Sequence, residues 1–453
     1  MDVTDSEGRK GPAHARRRVS SNPSDTAPRL IGPGTNLPPR SESELRIIAG
    51  IRASRRHRRV LVWLAVLVAA ALCAGAVAQW VRPLPRATVT AADVRLPGVA
   101  PSFAWPSSGE AAMDAEGIGT LGQVRGTQPV PIAGLAEILT AYLVLSDHPL
   151  RPGADGPMIP VTAETLSSYQ AGQASQESEV PVAAGESLTE LQALEGLLVD
   201  AGADMATLLA DWDAGSTAAF VAKMSATESK LGLTATHITD PSGADPATTS
   251  TAEDLVRLGE AALSIPVLRQ IVSLGQASVP LTTVVYNLNF ALGRDGIIGM
   301  KSGSDASARG CYLFAAQQAM GGKTVTLVGA VLGQPGGALG PNTAAVDAGD
   351  ALVKSAFAAL HPFTVLMPGH TVGTVTAPWG ASAPLTVTTP VSVLGWPGIS
   401  VTVTTRAKAV DGALPWGAEV GTMQVGVGAA STLVPLETAA PLGGPGAWWR
   451  LTR

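Results

Sequence analysis

Apolar and polar positions are spread unevenly along this chain. Residues 60–81, "VLVWLAVLVAAALCAGAVAQWV", carry no charge over 22 positions, and a helix of that length crosses roughly 30 Å of hydrocarbon. Further on, helical periodicity returns three times. "SLTELQALEGLLVDAG" opens with Ser187 and Glu190 in capping-box spacing and ends near Gly202. "STAAFVAKMSATESKLG" runs from Ser216 to Gly232, and "STAEDLVRLGEAAL" stops before Pro266. "GCYLFAAQ" and "KTVTLVGAVLG" are unbroken apolar runs bounded by glycines, which predicts adjacent strands of a buried sheet, and "TAAVDAGDALVKSAFAAL" predicts a further helix. After His361 the pattern switches to short alternating runs, "HTVGTVTA", "LTVTT", "ISVTVTT" and "GTMQVGV", as in a small all-β domain.

These shifts divide the chain into a basic tail over 1–59, a transmembrane helix over 60–81, a Pro-rich linker over 82–108, a mixed α/β region over 109–361 and a β-rich region over 362–453. The tail is rich in Ser, Pro, Gly and Arg with little apolar periodicity, the composition of a mostly disordered segment. It holds 13 Lys and Arg against 6 Asp and Glu, while the rest of the chain holds 18 against 30. The run Arg55-Arg56-His57-Arg58-Arg59 directly before the span is a cytoplasmic flank, so the N-terminus is expected inside and residues 82–453 outside, on a single-pass membrane protein. Cleavage after Ala76-Val77-Ala78 is the competing reading; a lead of nearly sixty residues and the length of the apolar run favour the anchor.

Of the two cysteines, Cys73 is in the span, so Cys311 is the lone exported thiol and no intrachain disulfide is expected outside the membrane. His148, His237, His361 and His370 lack metal-ligand spacing. No metal, cofactor or nucleic-acid partner is expected.

The stretch "PIAGLAEILTAYLVL", residues 131–145, has the form of a buried helix opening at a reactive centre. Together with "LEGLLVDAGADMATLLADWDAGSTAAFVAKMSATESKLGL", "THITDPSGAD", "STAEDLVRLGEAAL" and "YNLNFALGRDGIIGMKSGSDASARGCYLFAA", in this order, it resembles the serine-type D-alanyl-D-alanine carboxypeptidases. These are the low-molecular-weight penicillin-binding proteins of peptidase family S11, and the likeness is strongest to actinobacterial members. The tail, "ALPWGAEVGTMQVGV" through "GAWWRLTR", is similar to their β-rich C-terminal domain. The resemblance covers most of the chain outside the membrane and implies a DD-peptidase/β-lactamase-like α/β domain followed by a small all-β domain.

The family's chemistry implies three motifs meeting in space. Ser-x-x-Lys supplies a nucleophile and the base that deprotonates it; Ser-x-Asn relays a proton; Lys-Thr/Ser-Gly on a strand binds the substrate's terminal carboxylate. Matched to this sequence, the first falls on Gly134 and Glu137 and the second on Ala201 and Ala203. The third survives as Lys301-Ser302-Gly303, the candidate ligand-binding residues. The residues three positions before the seven lysines are Glu7, Phe220, Thr227, Ile298, Met320, Ala351 and Thr405, so no Ser-x-x-Lys exists anywhere.

Nucleophile, base and relay are therefore absent together, and removing a nucleophile alone costs about 10⁶ in kcat. The expectation is a catalytically dead homologue in peptidoglycan metabolism that binds a wall stem peptide or a wall enzyme; an active carboxypeptidase using unrecognised groups and an extracellular scaffold are the alternatives. Glu137 is either a plain helical glutamate or faces Lys301 across the old cleft, and a separation beyond about 6 Å would exclude the second reading. Asp240-Pro241-Ser242-Gly243 reads as a turn, and Trp448-Trp449 as either packing for the β domain or an exposed glycan contact.

Overall fold

The computed structural model describes residues 42–91, 94, 96–126, 128–175, 179–280 and 282–453, which divide into two units between Val81 and Arg82. The first unit is one helix, Glu42–Val81. Its Arg56–Val81 portion is long and apolar enough to cross a membrane. Residues 42–59, expected as part of a disordered tail, are helical. They contain no proline, and a helix already nucleated by the apolar span gains one hydrogen bond for each residue added upstream. The rest of the expected tail, residues 1–41, lies outside the described residues.

At the centre of the second unit is a five-stranded antiparallel sheet. Its spatial order is Ile297–Asp305, Arg309–Met320, Lys323–Gln334, Glu110–Ala115 and Gly119–Val124. Side chains alternate across a strand. Cys311, Leu313 and Ala315 face a cluster of helices that includes Leu135, Ile138, Leu194 and Leu197. Tyr312, Phe314 and Ala316 face Val346, Val353 and Phe357 of the helix Pro341–Ala359. Burial on both faces is why "GCYLFAA" reads as one apolar run. The hairpin closes at Gly321-Gly322, both with positive φ (57° and 78°), the conformation a tight hairpin turn requires.

The helices bounded by Ser216 and Gly232 and by Thr251 and Ser264 match their sequence signals. The helix expected to open at Ser187 begins later, at Glu190. Ser187–Thr189 is a short strand paired with Met158–Pro160, and the reciprocal capping box is made by Thr189 and Gln192. Strand pairing takes the first three residues of the run, and the cap moves to the next Thr with a side-chain acceptor three positions on.

The β-rich region forms a six-stranded sheet in the order Thr88–Ala91, Gly373–Thr376, Ser382–Val387, Ala430–Thr438, Glu419–Val427 and Thr402–Ala407. Its first strand comes from the stretch expected to be a linker. "TVTA" has the same Val/Thr alternation as the other strands and pairs antiparallel with Gly373–Thr376, while Leu96 and Phe103 are buried in the same cluster as Val375 and Leu385. That cluster also contains Tyr312 and Val353, so one continuous core crosses position 361. At the C-terminus Trp449 meets Trp379 edge-on at 5.9 Å whereas Trp448 is exposed, and the Arg453 guanidinium donates to the carbonyls of Arg82 and Pro83.

Candidate functional site

"PIAGLAEILTAYLVL" becomes a single 3₁₀ turn, Ala133–Leu135, followed by the helix Ala136–Asp147. Nine of the helix's residues are buried, Glu137 among them. Ala133 has φ 47°, which turns the chain sharply enough to bring Gly134 against the edge strand of the central sheet. A Cβ on Gly303 would lie 3.2 Å from the Gly134 nitrogen, so turn and strand touch through backbone.

The Asp240 turn forms another wall. The Asp240 carboxylate accepts from the backbone N–H groups of Ser242, Gly243, Ala244 and Asp245 and from the hydroxyls of Ser242 (2.6 Å) and Thr248 (3.0 Å). Thr140 of the helix donates to the Pro241 carbonyl at 2.7 Å and pins the turn to it. Gly243 has φ 84°, and a Cβ there would collide with the Ala133 carbonyl.

Between these elements lies a cleft of about 490 Å³. Gly134, Glu137, Ala201, Ala203, Ser302 and Gly303 all line it, so three separate stretches singled out in the sequence meet at one place. Lys301 does not line it. This side chain is buried at 3% exposure, with its Nζ 2.6 Å from the Glu137 Oε2. It donates to the carbonyls of Leu197 at 2.9 Å and Leu198 at 3.4 Å. Two of the ammonium's three donors are thus taken by carbonyls, and its charge is paired with Glu137. Ser302 donates to the Leu288 carbonyl at 3.3 Å.

Burial pushes the Glu137 carboxyl up to about 7; the Lys301 ammonium pulls it down, while Asp240 and Asp204 raise it further. Asp200 is raised by burial against the pull of Lys301, and Asp204 by burial against its hydrogen bonds. These two aspartates, and the Asp240 hub, were not picked out by sequence reasoning. Asp240 was read only as part of a turn, although an Asp followed by Pro-Ser-Gly is the composition in which a carboxylate collects successive N–H groups.

Chemically, the turn Ala133–Leu135 that opens the cleft offers no nucleophile. Gly134 has no side chain, the alanines cannot relay a proton, and Glu137 is ion-paired. Cys311 is buried, its thiol pushed up to about 12, so it supplies no thiolate at neutral pH. Among the described residues there is no group of three or more His, Cys, Asp and Glu able to hold a metal.

With the site in place, its likeness to known proteins can be stated. Residues 109–335 match the family model for D-alanyl-D-alanine carboxypeptidase, peptidase S11. The chain is 39% identical over 155 residues to the D-alanyl-D-alanine carboxypeptidase DacB2 of Mycobacterium tuberculosis, covering 33% of this chain and 52%, about half, of that relative. It is 32% identical over 214 residues to the D-alanyl-D-alanine carboxypeptidase of Streptomyces sp. strain K15, covering 43% of this chain and 70% of that one. Among solved structures, the D-alanyl-D-alanine carboxypeptidase DacD from Francisella tularensis aligns with a TM-score of 0.54 at 18% identity, over 76% of this chain and 96% of its own. The peptidoglycan synthesis regulatory factor PBP3 from Streptococcus pneumoniae aligns at 0.55 and 17%, over 75% and 99%. At these identities the two structures establish the fold.

Proposed function

The chain belongs to the D-alanyl-D-alanine carboxypeptidase family, and we propose that it is a catalytically inactive member whose cleft binds a cell-wall peptide or a wall-enzyme partner without cutting it. One observation carries this reading: where the family motif has a hydroxyl and an amine, there is a bare α-carbon at Gly134 and a carboxylate at Glu137 that is spent on Lys301 at 2.6 Å. Acyl transfer needs a nucleophile, a base within hydrogen-bond reach and a proton donor for the leaving group. The position offers none of them, and the fold by itself restores no activity. A surface for binding remains, since Ser302 and Gly303 line the cleft and belong to an edge strand of the central sheet. An extended peptide can add to such an edge through its backbone.

The apolar helix supports a single-pass anchor, and the basic residues ahead of it support a cytoplasmic N-terminus with residues 82–453 on the wall side. The domain division proposed is the one read from the sequence, 109–361 as the carboxypeptidase-like part and 362–453 as the β-rich part, with 82–108 built onto the latter.

The test is gel labelling of the full chain in detergent with a fluorescent penicillin. The expected result is no covalent band. The active alternative has one specific foothold, Ser242, a hydroxyl of the cleft lining bonded to a carboxylate at 2.6 Å. A band that persists through denaturation and disappears in Ser242→Ala would replace the inactive reading with a hydrolase built on that serine.

A further inference from the structure

The closing turn of the chain, Ala447–Thr452, is fastened on one side only. Trp449 meets Trp379 edge-on at 5.9 Å, the Trp379 indole N–H donates to the Gly443 carbonyl at 2.7 Å, and the Arg453 guanidinium lies over the Trp449 ring at 5.4 Å. Residues three apart share a helix face, so Trp448 and Leu451 lie together on the side away from that packing, 79% and 41% exposed. An aromatic held outward beside a leucine by a fixed neighbour is an apolar patch of the kind that marks contact with a partner or a membrane.

The place of the patch in the chain selects between these. The Arg453 guanidinium donates to the carbonyls of Arg82 and Pro83, and one peptide bond joins Arg82 to Val81, the last residue of the apolar span. The patch is therefore tied to the point where the chain leaves the hydrocarbon. Bilayers take Trp and Arg side chains in that layer, with the rings at headgroup depth and the charges in water. Charge fits the same partner. Positions 82–86 and 447–453 contain Arg82, Arg86, Arg450 and Arg453 and no Asp or Glu, whereas the chain beyond the span as a whole holds 18 Lys and Arg against 30 Asp and Glu. A basic, aromatic patch on an acidic body complements anionic lipid headgroups.

We infer that Trp448 and Leu451 enter the headgroup layer of the bilayer, with Arg82 and Arg86 on anionic lipid phosphates, so that the β-rich region makes a second contact with the membrane beside the span. This rests on the proposed single-pass anchor and goes beyond it. A single helix leaves the body it carries free to swing about the bond between Val81 and Arg82. A second contact next to that bond limits the swing.

The test places the full chain in nanodiscs of equal parts phosphatidylcholine and phosphatidylglycerol. The emission difference between the native chain and Trp448→Phe isolates Trp448, whose exposure makes the replacement harmless to the fold. The expected result is that this emission is quenched by phospholipid brominated high on its acyl chains and protected from aqueous iodide. The lipid quenching should fall in Leu451→Ser, in Arg82→Gln/Arg86→Gln and in discs of phosphatidylcholine alone. Quenching by iodide and not by the brominated lipid overturns the inference, as does lipid quenching indifferent to phosphatidylglycerol. A Trp448 emission that stays open to iodide and shifts on adding soluble wall glycan also overturns it, and assigns the patch to glycan. In all three outcomes the chain is in the disc and the anchor stands; a chain that fails to enter the discs overturns both.

Discussion

The carboxylate of Glu137 and the ammonium of Lys301 stand 2.6 Å apart, both 3% exposed, one on the helix that opens the cleft and the other on the edge strand of the central sheet. They fix two elements separated by more than 160 positions in the chain. A buried ion pair is a poor source of net stability, because each charge loses its hydration. Breaking it from one side is a different matter.

Glu137→Ala leaves the Lys301 ammonium buried with carbonyls alone and is expected to lower the unfolding free energy by roughly 3–5 kcal/mol. Lys301→Met removes the ammonium that pulls the Glu137 carboxyl down, so that carboxyl takes up a proton and the loss should be smaller. The double variant Glu137→Leu/Lys301→Met removes both charges and is expected to recover most of the loss. Urea unfolding of the three variants checks this, and additive losses would show that the pair is not coupled.

Glu110, Glu137 and Glu190 are each pushed by burial from 4.5 up to about 7 in the folded protein. Each folded carboxyl therefore holds its proton more tightly than the unfolded chain does. Their contribution is fully present below about pH 4.5 and is lost as the pH rises through about 7. Thermal unfolding should show the midpoint falling across that window, and Glu110→Gln should flatten the slope. A midpoint that rises over the same window would contradict the assignment.

Gly134→Ser alone is expected to gain no penicillin labelling. The new Cβ stands 3.0 Å from the Glu137 Oε1, and the added hydroxyl meets a carboxylate already held by Lys301. Neither the base nor the relay is present, and groups that act as a unit do not restore rate one at a time. The combination Gly134→Ser/Glu137→Lys/Ala201→Ser/Ala203→Asn is the smallest set expected to give a covalent band in the gel. Ala201 already bears the cost of a Cβ at φ 63°, so a serine there adds no new backbone strain.

Gly243→Ala tests the wall opposite the strand. Its φ of 84° and the collision of a Cβ with the Ala133 carbonyl predict a loss of at least about 2 kcal/mol. The damage should reach the 3₁₀ turn carrying Gly134, seen as faster amide exchange at Ala133–Leu135. Asp240→Ala, which removes an acceptor serving four backbone N–H groups, should do the same.

The elements with a strong period or a cap were legible in the sequence. The hairpin Arg309–Met320/Lys323–Gln334 was announced by apolar runs and paired glycines, and the helix over Thr217–Leu231 by Ser216 and Gly232. Gly134, Glu137, Ala201 and Ala203 were singled out from the sequence frame around them, and all four line one cleft. What could not be read depended on contacts distant in the chain. Nothing local in "ATVTA" says that it will pair with residues near 375, and nothing local separates Ser187 from Thr189 as the cap until Met158–Pro160 takes up the preceding residues. The pairing of Glu137 with Lys301 was one of two readings of a single glutamate, and only the packing of helix on strand chose between them. The loss of Lys301 as a free donor was hidden for the same reason, since the Leu197 and Leu198 carbonyls that occupy it are helix-end groups with no sequence signature.

The strand Thr88–Ala91 gives the anchored chain a mechanical order. Any pull on the apolar span enters the second unit at Arg82 and meets Arg453 at the carbonyls of Arg82 and Pro83, then the pairing with Gly373–Thr376. The β-rich sheet takes that load before Glu110–Ala115 and the central sheet do. The cleft beside the central sheet thus lies beyond the first elements that a pull entering at Arg82 would reach.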